Sequence, residues 1–248
     1  MGIPTHPIQS PGDPPDPESG TTEWYQRYYT KKGLLRNDLL RNREVLFQNL
    51  AVDESVIRAL GSIEIDPGKA KVLDVGCGTG KSLLNFLRLG FDARNLHGID
   101  IQEDRILEAR SLLPNVDFRC GDASASFFEE GAFDVVFEST MFVQITSEEL
   151  AGKIAKEMIR VTRKGGFLVL SDWRYSKPGN KEYKGLSLSR LRELFQVGLS
   201  TNLLGRFRGA LIPPIGRLLS KRAAFLYFPL RTFLPFLAGH QVHILNKR

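Results

Sequence analysis

Asp74-Val75-Gly76-Cys77-Gly78-Thr79-Gly80 joins a short β-branched run, residues 71–75, to a helical stretch over 81–89. Three glycines in five positions at a strand-to-helix joint allow positive φ and let backbone N–H groups come close to a ligand. Two nucleotide readings of this turn fail on single residues. A P-loop needs a glycine five positions before Gly80-Lys81-Ser82, and that position is Val75. A dinucleotide G-x-G-x-x-G pattern needs a third glycine where Lys81 stands. The turn therefore binds something else, or only packs.

The flanking sequence keeps alternating. Residues 96–100 read as strand, 103–113 as helix, 116–120 as strand and 133–138 as strand again. Thr146-Ser147-Glu148-Glu149 has the form of a capping box that opens a helix running to about Thr162. Lys164-Gly165-Gly166 is expected to stop that helix and lead into a strand over 167–172. Five strands alternating with helices imply βαβ units and a parallel sheet covered on both faces. Beyond this core, 187–195 reads as a short helix, and 199–207 and 241–246 as strands. Upstream, apolar residues at three- and four-residue steps predict helix from about Trp24 to Gly61, with Asp53 capping a second helix that ends at Gly61. Residues 1–20 hold six of the thirteen prolines, and we expect a disordered tail there.

Taken together, these motifs resemble class I S-adenosylmethionine-dependent methyltransferases. The glycine turn matches the family's first motif, and Asp100 ends the second strand 20 residues after Gly80. Cys120-Gly121-Asp122-Ala123 ends the third strand, and Val161 to Leu168 matches the family's turn into its fifth, with Lys164 where proline is common. The resemblance covers about residues 68–175. It implies an α/β fold with a seven-stranded, mostly parallel Rossmann-like sheet in the order 3-2-1-4-5-7-6, helices on both faces, and an antiparallel hairpin at the end. It also implies S-adenosyl-L-methionine as cofactor. Asp74 would support the cofactor's ammonium, and Gly76, Gly78 and Gly80 would pass its amino-acid portion. Asp100 would accept from both ribose hydroxyls, with Ile101 beside it, and Asp122 and Ala123 would lie near the adenine. Glu138 and Tyr29 complete the expected cofactor contacts. Tyr29 belongs to an aromatic cluster with Trp24, Tyr25 and Tyr28, which would either fold over the cofactor as a lid or simply pack.

Methyl transfer is an in-line displacement, so alignment of the acceptor dominates and a general base helps only a protonated acceptor. The acceptor is expected beyond the carboxyl ends of strands four and five. Glu138 and Asp172 are the catalytic candidates there, as base or anchor, the alternative being that each caps a loop. Trp173 and Tyr175 would stack on an acceptor ring or join the core. An [N/D]-P-P-[Y/F] motif after strand four is absent, which argues against amide and exocyclic nitrogens as targets. His240 and His243 are three apart on a strand and point to opposite faces, so no metal site is expected.

Composition sets the wider bounds. The 248 residues are 42% hydrophobic and 25% charged, a globular balance. Two cysteines exclude a disulfide framework and point to a reducing compartment, and no secretory signal or long apolar run is read, so a cytoplasmic location is expected. The net charge of +6 is uneven: residues 184–248 hold eleven Lys and Arg against Glu193 alone, leaving −4 for the rest. Within this basic end, residues 209–239 interrupt the expected hairpin with Leu, Phe, Pro and four cations. We expect the domain to span 21–248, with lid helices over 21–65, the cofactor core over 68–175 and an acceptor cap over 209–239. Such a cap suits a small-molecule or glycoconjugate acceptor, lipid-linked or sugar-linked, methylated on oxygen or nitrogen. It could also meet a membrane surface peripherally. Phe and Leu among the cations speak against a phosphate track, so nucleic acid is not the expected partner. The alternatives are an RNA or protein methyltransferase and a non-catalytic binding module on the same fold.

Overall fold

The computed structural model describes residues 38–176 and 179–248. The first helix, α1 (Arg43–Leu60), is followed by β1 (Val72–Val75), α2 (Leu83–Arg88), β2 (Leu96–Asp100), α3 (Glu103–Leu112) and β3 (Asp117–Cys120). After these come β4 (Phe133–Ser139), α4 (Glu148–Val161), β5 (Thr162–Trp173), α5 (Leu188–Leu194) and β6 (Thr201–Arg208). The chain ends with α6 (Pro213–Arg222), α7 (Tyr227–Phe233) and β7 (His240–Lys247). The strands form one sheet in the order β3-β2-β1-β4-β5-β7-β6, as expected. Neighbouring strands from β3 to β5 pair parallel, whereas β7 runs antiparallel to both β5 and β6.

Alternate residues of each strand feed two cores. Val72, Val135, Phe137, Val169 and Ile244 face one side and pack with Val56 and Leu60 of α1, Phe86 of α2 and Ile106 of α3. Leu73, Val75, Val136, Leu168 and Leu245 face the other, against Ile154 and Met158 of α4 and Leu191 of α5. Burial on both faces explains why these strands read as continuous apolar runs.

Several local expectations need correction. Asp53 caps nothing: α1 is a single helix whose N-cap is Asn42, accepting from Val45 N at 3.4 Å, and Asp53 instead accepts from Asn85 Nδ2 at 2.8 Å. A polar residue within a helix does not end it when Ala51, Ser55 and Val56 around it are buried against the sheet. The cap of α4 is Ser147, not Thr146, so the expected box does not form, because the residue three places on is Leu150; Ser147 Oγ accepts from Leu150 N at 3.3 Å. Nor does Lys164-Gly165-Gly166 separate helix from strand. Strand β5 starts at Thr162 and carries these residues as an irregularity between the pairs Phe133–Thr162 and Val135–Phe167. The tail over 1–20 and the aromatic cluster from Trp24 to Tyr29 lie outside the described residues.

Residues 209–239 form α6, α7 and short 3-10 turns at 224–226 and 235–237. They leave β6 and re-enter β7 at the sheet edge where β4 and β5 end, because His240 pairs with Trp173. A third apolar cluster fixes them there: Leu211, Leu219 and Tyr227 pack with Ala51 of α1, Val143 and Trp173. The Phe47 and Tyr227 rings lie 5.3 Å apart, and the buried Arg231 reaches Glu54 at 2.8 Å.

Candidate active site

The carboxyl ends of β1 to β5 bring the expected residues together. At β1 the chain turns with Gly76, Gly78 and Gly80 at φ of 70°, 53° and 75°, a conformation L side chains rarely adopt. Space opposes a side chain at Gly80 as well, where a Cβ would stand 2.6 Å from the buried Phe118 ring, while one on Gly78 would displace the Arg105 guanidinium 2.6 Å away. The turn is tied to β2 by Gly76 N and Cys77 N, both donating to Ile99 O, at 2.8 and 3.1 Å. Asp100 adds a second tie, because its Oδ2 accepts from Gly78 N at 2.8 Å while Oδ1 accepts from Gln102 N at 3.0 Å. Asp100 thus shapes the turn and keeps further lone pairs for outside donors.

Asp74 is the unusual group. It is 1% exposed, and neither carboxylate oxygen has a hydrogen-bond partner. Its neighbours across the sheet are Gly98 and Phe137, which bring no side-chain donor. Burial pushes its carboxyl well above the ordinary range, and the Asp100 charge adds to this. A buried acceptor without a donor costs roughly 1–3 kcal/mol, more if charged, so the position is built for a donor supplied from outside. An ammonium group beside the glycine turn meets that need, and the residues fit an amino-acid-bearing cofactor.

The third strand's end is more open. Asp122 accepts from Ser124 N at 2.7 Å in an exposed turn, next to half-buried Ala123, while Ile101 is exposed. Gly121 N donates to Asp100 O at 3.0 Å, which joins this turn to β2.

Beyond β4, Glu138 and Asp172 are both buried. Glu138 Oε2 accepts from Met141 N at 3.2 Å, and Oε1 has no partner. Its carboxyl is held well above the ordinary range by burial, then by Asp172 and Asp74. Both oxygens of Asp172 are engaged with backbone, Oδ2 with Val143 N at 2.8 Å and Oδ1 with Trp173 N at 2.6 Å. Burial nevertheless pushes its pKa up to about 7. Between these carboxylates Thr140 adopts φ 57°, uncommon for a β-branched residue, and is held by Thr140 N donating to Ser171 O at 2.9 Å. Trp173 takes the core alternative, edge-on to His240 at 5.5 Å. Tyr175 is exposed and donates to Phe236 O at 3.1 Å. His240 and His243 are buried and neutral, held down to about 3 and about 4 chiefly by desolvation. Among the described residues no group of three His, Cys, Asp or Glu is placed to hold a metal ion.

Three contributors were not read from the sequence. Met141 sits against Gly76, where an added Cβ would lie 2.8 Å from its Sδ, so the segment after β4 touches the glycine turn. Arg105 covers Gly78 in the same way. Arg190 of α5 is buried and donates to Phe142 O, Lys184 O and Ile145 O at 3.1, 2.8 and 2.7 Å, and to Glu148 Oε1 at 2.9 Å. It clamps the 142–145 segment from below. Its one signal in the sequence is position, since Arg190 shares the buried stripe of α5 with Leu191 and Leu194.

The chain is similar to known proteins over part of its length. Residues 72–166 match the family model described as a methyltransferase domain. A segment of 117 residues, 46% of this chain, is 35% identical to 2-methyl-6-phytyl-1,4-hydroquinone methyltransferase of Synechocystis, but spans only 35% of that relative's length. Phthiotriol/phenolphthiotriol dimycocerosates methyltransferase of Mycobacterium tuberculosis is 26% identical over 75% of each chain. The solved structure of a SAM-dependent methyltransferase from Methanosarcina mazei superposes with a TM-score of 0.54 at 17% identity, covering 77% of this chain and 96% of that one. Residues 72–166 thus resemble a methyltransferase domain, within a chain that shares the fold of the solved SAM-dependent methyltransferase.

Proposed function

We propose that this protein transfers the methyl group of S-adenosylmethionine to oxygen or nitrogen of a small molecule with a hydrophobic, lipid-like body. The observation that carries the reading is Asp74, a buried carboxylate with no partner, set beneath a turn of three positive-φ glycines that Asp100 holds in shape. The cofactor supplies an electrophilic methyl group. Asp74 would take its ammonium, Gly76 and Gly78 its amino-acid portion, Asp100 the ribose hydroxyls, and Ile101, Asp122 and Ala123 the adenine.

Glu138 is our choice for the group that meets the acceptor, because its Oε1 is buried and unpartnered. In its ionised form it would accept the proton of an O–H or N–H as the methyl bond forms, and its raised pKa would make that form a stronger base. Asp172, with both oxygens engaged by backbone, would position the 142–143 segment instead. The lipidic acceptor is supported by the apolar residues 209–239 at the end of β4 and β5, which we take as the acceptor cap. The names of the similar hydroquinone and dimycocerosate methyltransferases point the same way. A glycoconjugate acceptor shares the lipid part of this chemistry and stays within the proposal. We place the activity in the cytoplasm, where the thiols of Cys77 and Cys120 would stay reduced.

The test is to incubate the protein with methyl-labelled cofactor and a panel of a prenylated hydroquinone, a lipid-linked sugar, an RNA and a protein mixture, following label by mass spectrometry. Label on a lipidic acceptor supports the reading. Binding of NAD as tight as that of S-adenosylhomocysteine by calorimetry, or label on RNA or protein alone, overturns it.

A further inference from the structure

We propose that the outer face of residues 209–239 docks on a bilayer rich in anionic headgroups, so that a lipid-like acceptor reaches the site directly from the membrane. The inference rests on the acceptor class proposed above. On α6, Pro214, Arg217, Leu218 and Lys221 stand on one exposed side at three- and four-residue steps, and Arg222, Phe225 and Leu226 continue the exposed run beyond them. Phe225 and Phe233 are each 79% exposed and Phe236 61%. Such rings are costly to leave in water and are not needed for the core, which is already filled from inside by Leu211, Leu219 and Tyr227.

Charge selects the partner. No Asp or Glu occurs anywhere from 194 to 248. Of the four cations in the insertion, Arg217 and Arg231 are paired with Glu44 and Glu54 of α1. Lys221 and Arg222 are exposed and have no carboxylate partner among the described residues. Exposed Phe beside unpaired cations is the composition of an interfacial helix, whose rings enter the acyl boundary while Lys and Arg meet lipid phosphates. No helix among the described residues is long and apolar enough to cross a membrane, so contact would be peripheral.

Place gives the docking a purpose. The inner side of the same insertion packs on Val143 and Trp173, which follow β4 and end β5. An acceptor leaving the bilayer under α6 and α7 would therefore meet the carboxyl edge of the sheet without crossing bulk water.

Flotation of the full chain with vesicles tests this, using phosphatidylcholine alone and phosphatidylcholine mixed with phosphatidylglycerol. The protein is expected to float with the mixed vesicles and not with phosphatidylcholine alone. Lys221→Gln with Arg222→Gln should weaken partition about 30-fold, from roughly fivefold per cation. Phe225→Ser, Phe233→Ser and Phe236→Ser together should abolish it. Binding of S-adenosylhomocysteine, retained by both variants, shows that the fold is intact. No flotation of the unmodified chain, equal flotation with both vesicles, or no change in either variant overturns the proposal. So does light scattering that finds a lipid-free dimer which the Phe variant dissolves, since the face would then bind a second copy. Flotation without methylation of any lipid breaks the acceptor reading alone. Methylation of a detergent-dispersed acceptor without flotation breaks only the docking.

Discussion

The two halves of the sheet's carboxyl edge are built on different plans. Around β1 to β3 the site is made by backbone and by carboxylates close to one another in sequence: Asp74, the glycine turn, Asp100 and Asp122. Around β4, β5 and β7 it is made by distant segments, with Arg190 of α5 and Asp172 of β5 holding the 142–145 segment, and α1 bracing the insertion. A cofactor that does not vary can be met by a short motif of fixed spacing. An acceptor that differs between enzymes is met by elements that only tertiary packing assembles, so one fold can serve many acceptors.

The largest effect that could break this contrast lies in the insertion. Tyr227 is fully buried between α1 and β5, and Tyr227→Ala should cost about 3–5 kcal/mol, as large aromatic truncations do. Thermal unfolding would show it, and a negligible shift would mean that the insertion is a detachable cap rather than part of the core. Arg190→Ala should cost about 3 kcal/mol, because three backbone carbonyls lose a charged donor. It should also depress turnover while leaving S-adenosylhomocysteine affinity almost unchanged; equal loss of both would join the two halves into one unit.

Asp172 offers a pH test of similar size. Its carboxyl is raised from about 4 to about 7, so between those values the folded chain keeps a proton that the unfolded chain has released. Stability should therefore fall as pH rises through that window and level off above it, by roughly 4 kcal/mol from this group. Asp172→Asn should flatten that part of the profile in denaturant titrations at pH 5 and pH 8. An unchanged slope would assign the dependence to Glu138 and Asp74, which are raised in the same direction.

On the cofactor side the effects are smaller and concern affinity. Asp100→Ala should weaken binding of S-adenosylhomocysteine by about 1.5–3 kcal/mol, through lost charge-assisted bonds and a loosened Gly78 turn. Asp172→Ala should weaken it less, and calorimetry giving equal losses would erase the distinction between the halves. The smallest change is expected for Asp122→Ala, about 1 kcal/mol or less, because this carboxylate is exposed to water that can replace it.

Residues near in sequence were enough to place the strands, the glycine turn and the strand-end acids, whereas the strand order was implied only by the family resemblance of those motifs. Each of these is a local event: a strand ends, and the turn after it needs positive φ. The unpartnered state of Asp74 was not legible, since Asp172 also lies in a buried strand and has both oxygens engaged by backbone. Local reading failed where a choice depended on partners far away. Asp53 looks like a helix cap until Asn85, 32 residues on, takes its carboxylate. Lys164-Gly165-Gly166 looks like a stop until β4 shows that β5 already began at Thr162. Tertiary structure alone decided that Arg190 is buried against the 142–145 segment, that Met141 touches the glycine turn, and that residues 209–239 bury Tyr227 while leaving Phe225, Phe233 and Phe236 in water. The physical reason is common to all of them. Backbone conformation is set mainly by neighbours along the chain, whereas burial and pairing are set by whatever the fold brings across the gap.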